Sequence, residues 1–168
     1  MAKNYKLFSE VIRRLNEEER AWCENRLQRL EQSLPNFDEN GFDEHGEHCA
    51  PEDEPYLNGA GDLGFQWKLT SESNEDELWM YAEESCDLEH VALFVREFLA
   101  RFRPNEYFTL TWAETCSKPR ISEFSGGAVF VTAEDIEWHG VTAWICRKVA
   151  EFTQQGKVVE SSYVANQN

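Results

Sequence analysis

The sequence predicts an α+β domain, a two-layer arrangement of an antiparallel sheet with helices on one face, and three observations carry that expectation. Leu88, Val91, Ala92, Val95, Phe98, Leu99 and Phe102 follow the i, i+3, i+4, i+7 spacing of one helix face, with Asp87 in front as a cap and Pro104 behind as a stop. Phe65, Trp67 and Leu69, then Leu78, Met80 and Ala82, alternate on either side of a polar turn at Ser71 to Asp76 and read as a hairpin. Asn16 followed by Glu17-Glu18-Glu19 has the form of an N-cap with a glutamate at the third helical position. Cys23, Leu27, Leu30 and Leu34 then recur at helical spacing up to Pro35.

The other elements follow in order. Tyr5, Leu7, Ser9, Val11, Arg13 and Leu15 alternate and predict a first strand, although Phe8, Val11, Ile12 and Leu15 also suit a helix. Residues 36–62 read as a loop, because Gly and Pro interrupt them and eight of the seventeen residues from Asp38 to Glu54 are acidic. A loop this long is mobile or functional. Phe108, Leu110 and Trp112 predict a strand, Ala128 to Ala133 another after a Gly126-Gly127 turn, and Trp144, Ile145, Val149 and Phe152 a last helix over 142–153. The first six elements have the βαββαβ order of a ferredoxin-like layer. One domain over 1–152 with a polar tail at 153–168 is expected, and no internal repeat is evident. Trp67, Trp79 and Trp112 are expected in the core, since each sits in an alternating strand.

Composition narrows the class. Eleven Phe, six Trp and five Tyr in 168 residues supply more buriable surface than a disordered chain carries. The longest apolar stretch, Val91 to Leu99, includes Arg96 and Glu97 and is far short of the roughly 20 residues that span a bilayer. With no apolar leader after Met1, the expectation is a cytoplasmic protein. Its five cysteines, Cys23, Cys49, Cys86, Cys116 and Cys146, are widely spaced and odd in number, which reads as reduced thiols.

Charge is the most informative feature. The chain carries a net −16, yet residues 30–95 hold 18 Asp and Glu against Lys68 alone, a net of −17, so everything else is close to neutral. Such a field repels nucleic acid and anionic lipid and attracts basic proteins. One reading is a solvated acidic face. The sharper one is mimicry, in which a row of carboxylates enters a Lys/Arg channel built for nucleic acid. Asp38, Glu39, Asp43, Glu44, Glu52, Asp53 and Glu54 on the loop, with Glu75, Asp76, Glu77, Glu83 and Glu84 on the hairpin, are the candidate contacts to a basic nucleic-acid-binding partner.

Other constellations are weaker. His45, His48 and Cys49 are the one tight group with zinc chemistry, but structural zinc uses two spaced ligand pairs, and Asp38 to Glu52 fails the calcium-loop template. No phosphate loop or dinucleotide fingerprint occurs, so no cofactor, no metal and no enzymatic activity are expected. The rival is a small metal-dependent or cysteine enzyme, for which Cys116 as nucleophile, His139 as base and Glu114 or Asp135 as orienter are the available groups. Lys118 and Arg120 beside Gly126 and Gly127 are a weak candidate anion site, against the alternative that the two cations pair with Glu114 and Glu123.

The stretch Trp112-Ala113-Glu114-Thr115-Cys116-Ser117-Lys118-Pro119-Arg120, followed by Gly126-Gly127-Ala128, resembles an element of short acidic proteins of bacteria, phages and plasmids. The resemblance extends over residues 63–140 and implies a bacterial or mobile-element setting. That group has no established activity, so no catalytic residue is carried over. The function expected is that of an acidic interaction protein, an inhibitor of a DNA- or RNA-binding partner such as a host defence complex, with a housekeeping acidic domain as the alternative.

Overall fold

The computed structural model describes residues 3–57, 61–72, 75–118 and 123–154. Six strands, β1 (Asn4–Leu15), β2 (Gln66–Glu72), β3 (Glu75–Ala82), β4 (Phe108–Cys116), β5 (Ser125–Val131) and β6 (Ile136–Gly140), form one sheet in the order β2-β3-β1-β4-β5-β6, every neighbouring pair antiparallel. Three helices, α1 (Glu17–Ser33), α2 (Leu88–Phe102) and α3 (Val141–Gln154), complete an α+β architecture. The sheet does not stop at β4, as a four-stranded ferredoxin-like layer would. β6, which the sequence reading omitted, is five residues long, too short for alternation to announce it.

Local chemistry sets the helix ends. Asn16 and Glu19 form a reciprocal capping box on α1, each side chain accepting from the other's backbone N–H at 3.0 and 2.9 Å. Asp87 caps α2 by accepting from the amides of Glu89 and His90. The apolar face of α2 is buried against the sheet face that carries Phe8, Ile12, Leu78, Met80, Leu110 and Val129. Trp22 of α1 packs on Phe94, Phe98 and Phe102 of α2, joining the two helices.

β1 does not alternate to its end. Arg14 has φ +56°, in the left-handed region, and the β1–β3 register shifts between Ile12 and Leu15, which turns Leu15 into the core. Arg103, at the end of α2, donates through Nη2 to the carbonyls of Arg13 and Arg14 and so holds this bulge. β1 pairs with β4 over Asn4–Leu7 only. Beyond it, Glu10 accepts from the Thr111 backbone, and burial raises its pKa despite that bond.

Gly126 and Gly127 belong to β5 and not to a turn, pairing with Ala113 and Trp112. The reason is steric. A Cβ on Gly127 would lie 2.4 Å from the Trp112 ring and 2.3 Å from the His139 carbonyl, so only glycine lets the indole cross the strand here. Trp67 and Trp112 pack against the core as expected, but Trp79 does not. It lies on the opposite sheet face, stacked on Tyr81 at 4.1 Å and donating to Ser9 Oγ.

Candidate functional site: the acidic loop and the two ends of the hairpin

Glu52, Asp53 and Tyr56 tie the loop over residues 36–57 to α1 and α2, and the turns before them are held by hydrogen bonds of their own. The loop is built from a repeat that the sequence reading passed over, Asp38-Glu39-Asn40-Gly41-Phe42 followed by Asp43-Glu44-His45-Gly46-Glu47. In each copy the aspartate carboxylate accepts from the amides two and four residues on, the glycine N–H donates to the aspartate carbonyl, and the glycine sits at φ +80° or +79°. These bonds hold the Asp38 and Asp43 carboxyls below the usual carboxylate range. Their work is local turn-making, which leaves Glu39 and Glu44 exposed at the turn tips.

The rest of the loop is anchored by Arg26. This guanidinium, buried on α1, donates to Glu97 of α2 at 2.8 and 3.0 Å, to the Asp53 carboxylate and to the Glu52 carbonyl. Burial pulls the pKa of Arg26 down, and its hydrogen bonds to Glu97 and Asp53 more than offset that, so the cation is secured. Arg29 adds bonds to Glu52 and Asp53 at 3.0 Å. The Tyr56 ring lies beneath Arg26 at 5.3 Å, and its hydroxyl donates to Glu97. Asp53 is therefore interior, at 2% exposure, and takes no place in an exposed row of carboxylates. Glu52 is occupied by Arg29, whereas Glu54 is exposed.

The hairpin acids divide into two groups. Glu75, Asp76 and Glu77 stand at the start of β3 and pair with Arg14, Arg20 and Arg13. Glu83 and Glu84 follow its other end, about 25 Å away at the ~3.3 Å rise of a strand. The two groups therefore stand at opposite ends of β3, with residues 78–82 between them. Glu83 and Glu84 instead meet Glu31 and Asp62 around an open cleft of about 570 Å³. None of these four makes an ion pair among the described residues, and Glu31 accepts from Trp67 Nε1 at 2.9 Å. A second cleft of about 390 Å³, lined by Asp38, Glu39 and Gly61, adjoins it through the neighbouring residues Gly61 and Asp62. The C-terminal end of α1, with no basic residue in its last turn, adds the negative pole of a helix to this end of the molecule.

Of the other candidates, only His48 and Cys49 come together among the described residues, Nδ1 and Sγ lying 3.9 Å apart. His48 stacks edge-on against Phe42 and its Nδ1 lies 3.1 Å from the Cys49 carbonyl, while Cys49 is buried and His45 exposed beside Glu44. Among the described residues no three His, Cys, Asp or Glu side chains are placed to hold a metal ion. His139 is level with Thr111 across β5, five positions from Cys116, and therefore about 17 Å away along the strands and on the opposite face. Glu114 pairs with Lys6, and the Asp135 carboxylate accepts from the Ile136 amide in the β5–β6 turn, so neither orients His139. Lys118 is exposed after β4, Arg120 lies outside the described residues, and the amides of Gly126 and Gly127 sit in a paired strand where they form no anion cradle.

Sequence reading missed Glu19, Arg26 and Arg103 as organisers. A signal was present for two of them: Glu19 and Arg26 fall in phase with Cys23, Leu27 and Leu30 on the buried stripe of α1. Comparison with known protein families, characterised proteins and solved structures finds no match to this chain. No helix among the described residues is long and apolar enough to cross a membrane.

Proposed function

We propose that this is an acidic, non-enzymatic interaction protein that occupies the basic surface of a nucleic-acid-binding partner. The observation that carries the reading is the convergence of Glu31, Asp62, Glu83 and Glu84, none of them ion-paired among the described residues, on one cleft beside the negative end of α1. Glu39 and Asp38 extend that acidic end along the neighbouring cleft. A double helix carries one negative charge per roughly 1.7 Å, so a partner channel lined by Lys and Arg offers many donors to such a cluster. The setting in a phage or mobile element, acting against a host defence complex, rests on the resemblance of the Trp112 to Arg120 element. We also read β1 through β4 as a ferredoxin-like unit extended by β5 and β6. Its support is that α1 carries the chain from β1 past β3 to β2, and α2 from β3 past β1 to β4.

The test is a pull-down from a bacterial host at low salt, scored for basic DNA- or RNA-binding proteins, followed by titration in rising salt. Binding should weaken steeply with salt and fall on reversing Glu83 and Glu84 to Lys, while reversal of Glu75 at the far end leaves it intact. Binding indifferent to salt and to Glu83 and Glu84, or recovery of no basic partner, would overturn the reading.

A further inference from the structure

The edge of the sheet farthest from the acidic cleft has the opposite character. β6 ends the strand order, so one side of its backbone has no neighbouring strand among the described residues. Around it Phe124, Trp138, Val141 and Trp144 are each more than 40% exposed, the last two on α3, which continues directly from β6. An amphipathic helix that leaves Val141 and Trp144 in water beside an open strand edge is a surface shaped for a partner.

We infer that the partner is a second copy of this chain, joined by antiparallel pairing of β6 with β6 about a two-fold axis at Trp138. Two features select a like copy. The first is register: centring Ile136-Glu137-Trp138-His139-Gly140 on itself sets Trp138 against its own counterpart. It also places each Glu137 carboxylate opposite the His139 imidazole of the second copy. Glu137 and His139 are exposed, on the face opposite Trp138, and are free to meet there. The second is charge. Sixteen of the 18 acids between residues 30 and 95 precede the Asp87 cap of α2, on the end of α1, its following loop and the β2–β3 hairpin toward the other edge of the sheet, so pairing through β6 keeps these apart, while Asp87 and Glu89 at the start of α2 line a cleft with Trp138. The α3 patches then flank the strand pair and close over the exposed Trp138 side chains.

Sedimentation equilibrium of the intact chain over a wide concentration range tests this. The expected result is a concentration-dependent species at twice the 19.6 kDa chain mass. His139→Glu, which sets carboxylates opposite one another, and Glu137→Lys should each raise the dimer dissociation constant by about tenfold or more. An equimolar mixture of the two variants should recover association, because lysine then faces glutamate. Trp144→Ser should also weaken the dimer. All three positions are exposed, and circular dichroism checks that each variant is folded. A chain that remains at 19.6 kDa at every concentration, leaving the patch to a partner of different sequence, overturns the inference. So does a dimer that none of these substitutions disturbs.

Discussion

Arg103, the residue that closes α2, forms a paired hydrogen bond with Glu19, the third residue of α1, at 2.8 and 3.0 Å. The same guanidinium donates to the carbonyls of Arg13 and Arg14, and the same carboxylate accepts from the Asn16 amide. One ion pair therefore fixes the end of one helix, the start of another and the bulge in β1. Removing either partner strands a charge in a mostly buried site, so Arg103→Ala or Glu19→Ala should cost about 3 kcal/mol in urea unfolding at pH 7. Arg103→Lys should recover little, since an ammonium cannot reproduce the fork. A loss well under 1 kcal/mol would mean that water replaces the pair without cost.

Acid should weaken the fold through the same carboxylate. Hydrogen bonding from Arg103 holds the Glu19 pKa below its ordinary value, so Glu19 contributes stability above the unfolded value of about 4.3, and that contribution is lost as pH falls through the folded one. Glu10 works in the reverse sense, because burial raises its pKa and stability is recovered as it protonates. Urea midpoints measured from pH 7 down to pH 3 should fall less steeply for Glu19→Gln than for the parent chain and more steeply for Glu10→Gln. Parallel curves would exclude both assignments.

The acidic loop should depend on Asp53 far more than on its neighbours. Asp53→Asn leaves Arg26 short of a buried partner and should cost about 2 kcal/mol or more, with faster amide exchange across residues 36–57. Glu54→Gln, at an exposed position, should change neither measurement. Equal exchange in the two variants would show that the Asp53 carboxylate does not hold the loop.

Thiol reactivity should separate the cysteines. Burial pushes Cys23 up to about 12 and Cys86 up to about 11, and it raises Cys49 as well, whereas Cys146 is exposed on α3. With an aromatic disulfide reagent at pH 8, Cys146 should label first, and Cys23 and Cys49 only on unfolding. Prompt labelling of Cys23 in the native protein would contradict the packing of α1.

Gly127 should tolerate no side chain. Gly127→Ala meets the Trp112 ring and the His139 carbonyl and should destabilise by about 3 kcal/mol. Trimming the indole with Trp112→Val should not rescue it, because the carbonyl contact is backbone. Gly140→Ala, with no atom within 4 Å of the added carbon, is the control and should be close to neutral.

By itself the sequence determined the elements whose causes are local. The bounds of α2 follow from its seven apolar positions, Asp87 and Pro104, and the start of α1 from Asn16 and Glu19, since period and capping act within a turn or two of the chain. The tertiary structure alone decided the strand order, the role of Gly126 and Gly127, and the state of each carboxylate. Asp53 and Glu83 look alike in an acidic sequence. One is buried against Arg26, 27 positions earlier in the chain, and the other opens onto a cleft with Glu31. The pairing of Arg103 with Glu19 spans 84 positions. Ion pairs and cross-strand contacts depend on which segments meet after folding, and neither the spacing of apolar residues nor the count of charges along the chain specifies that meeting.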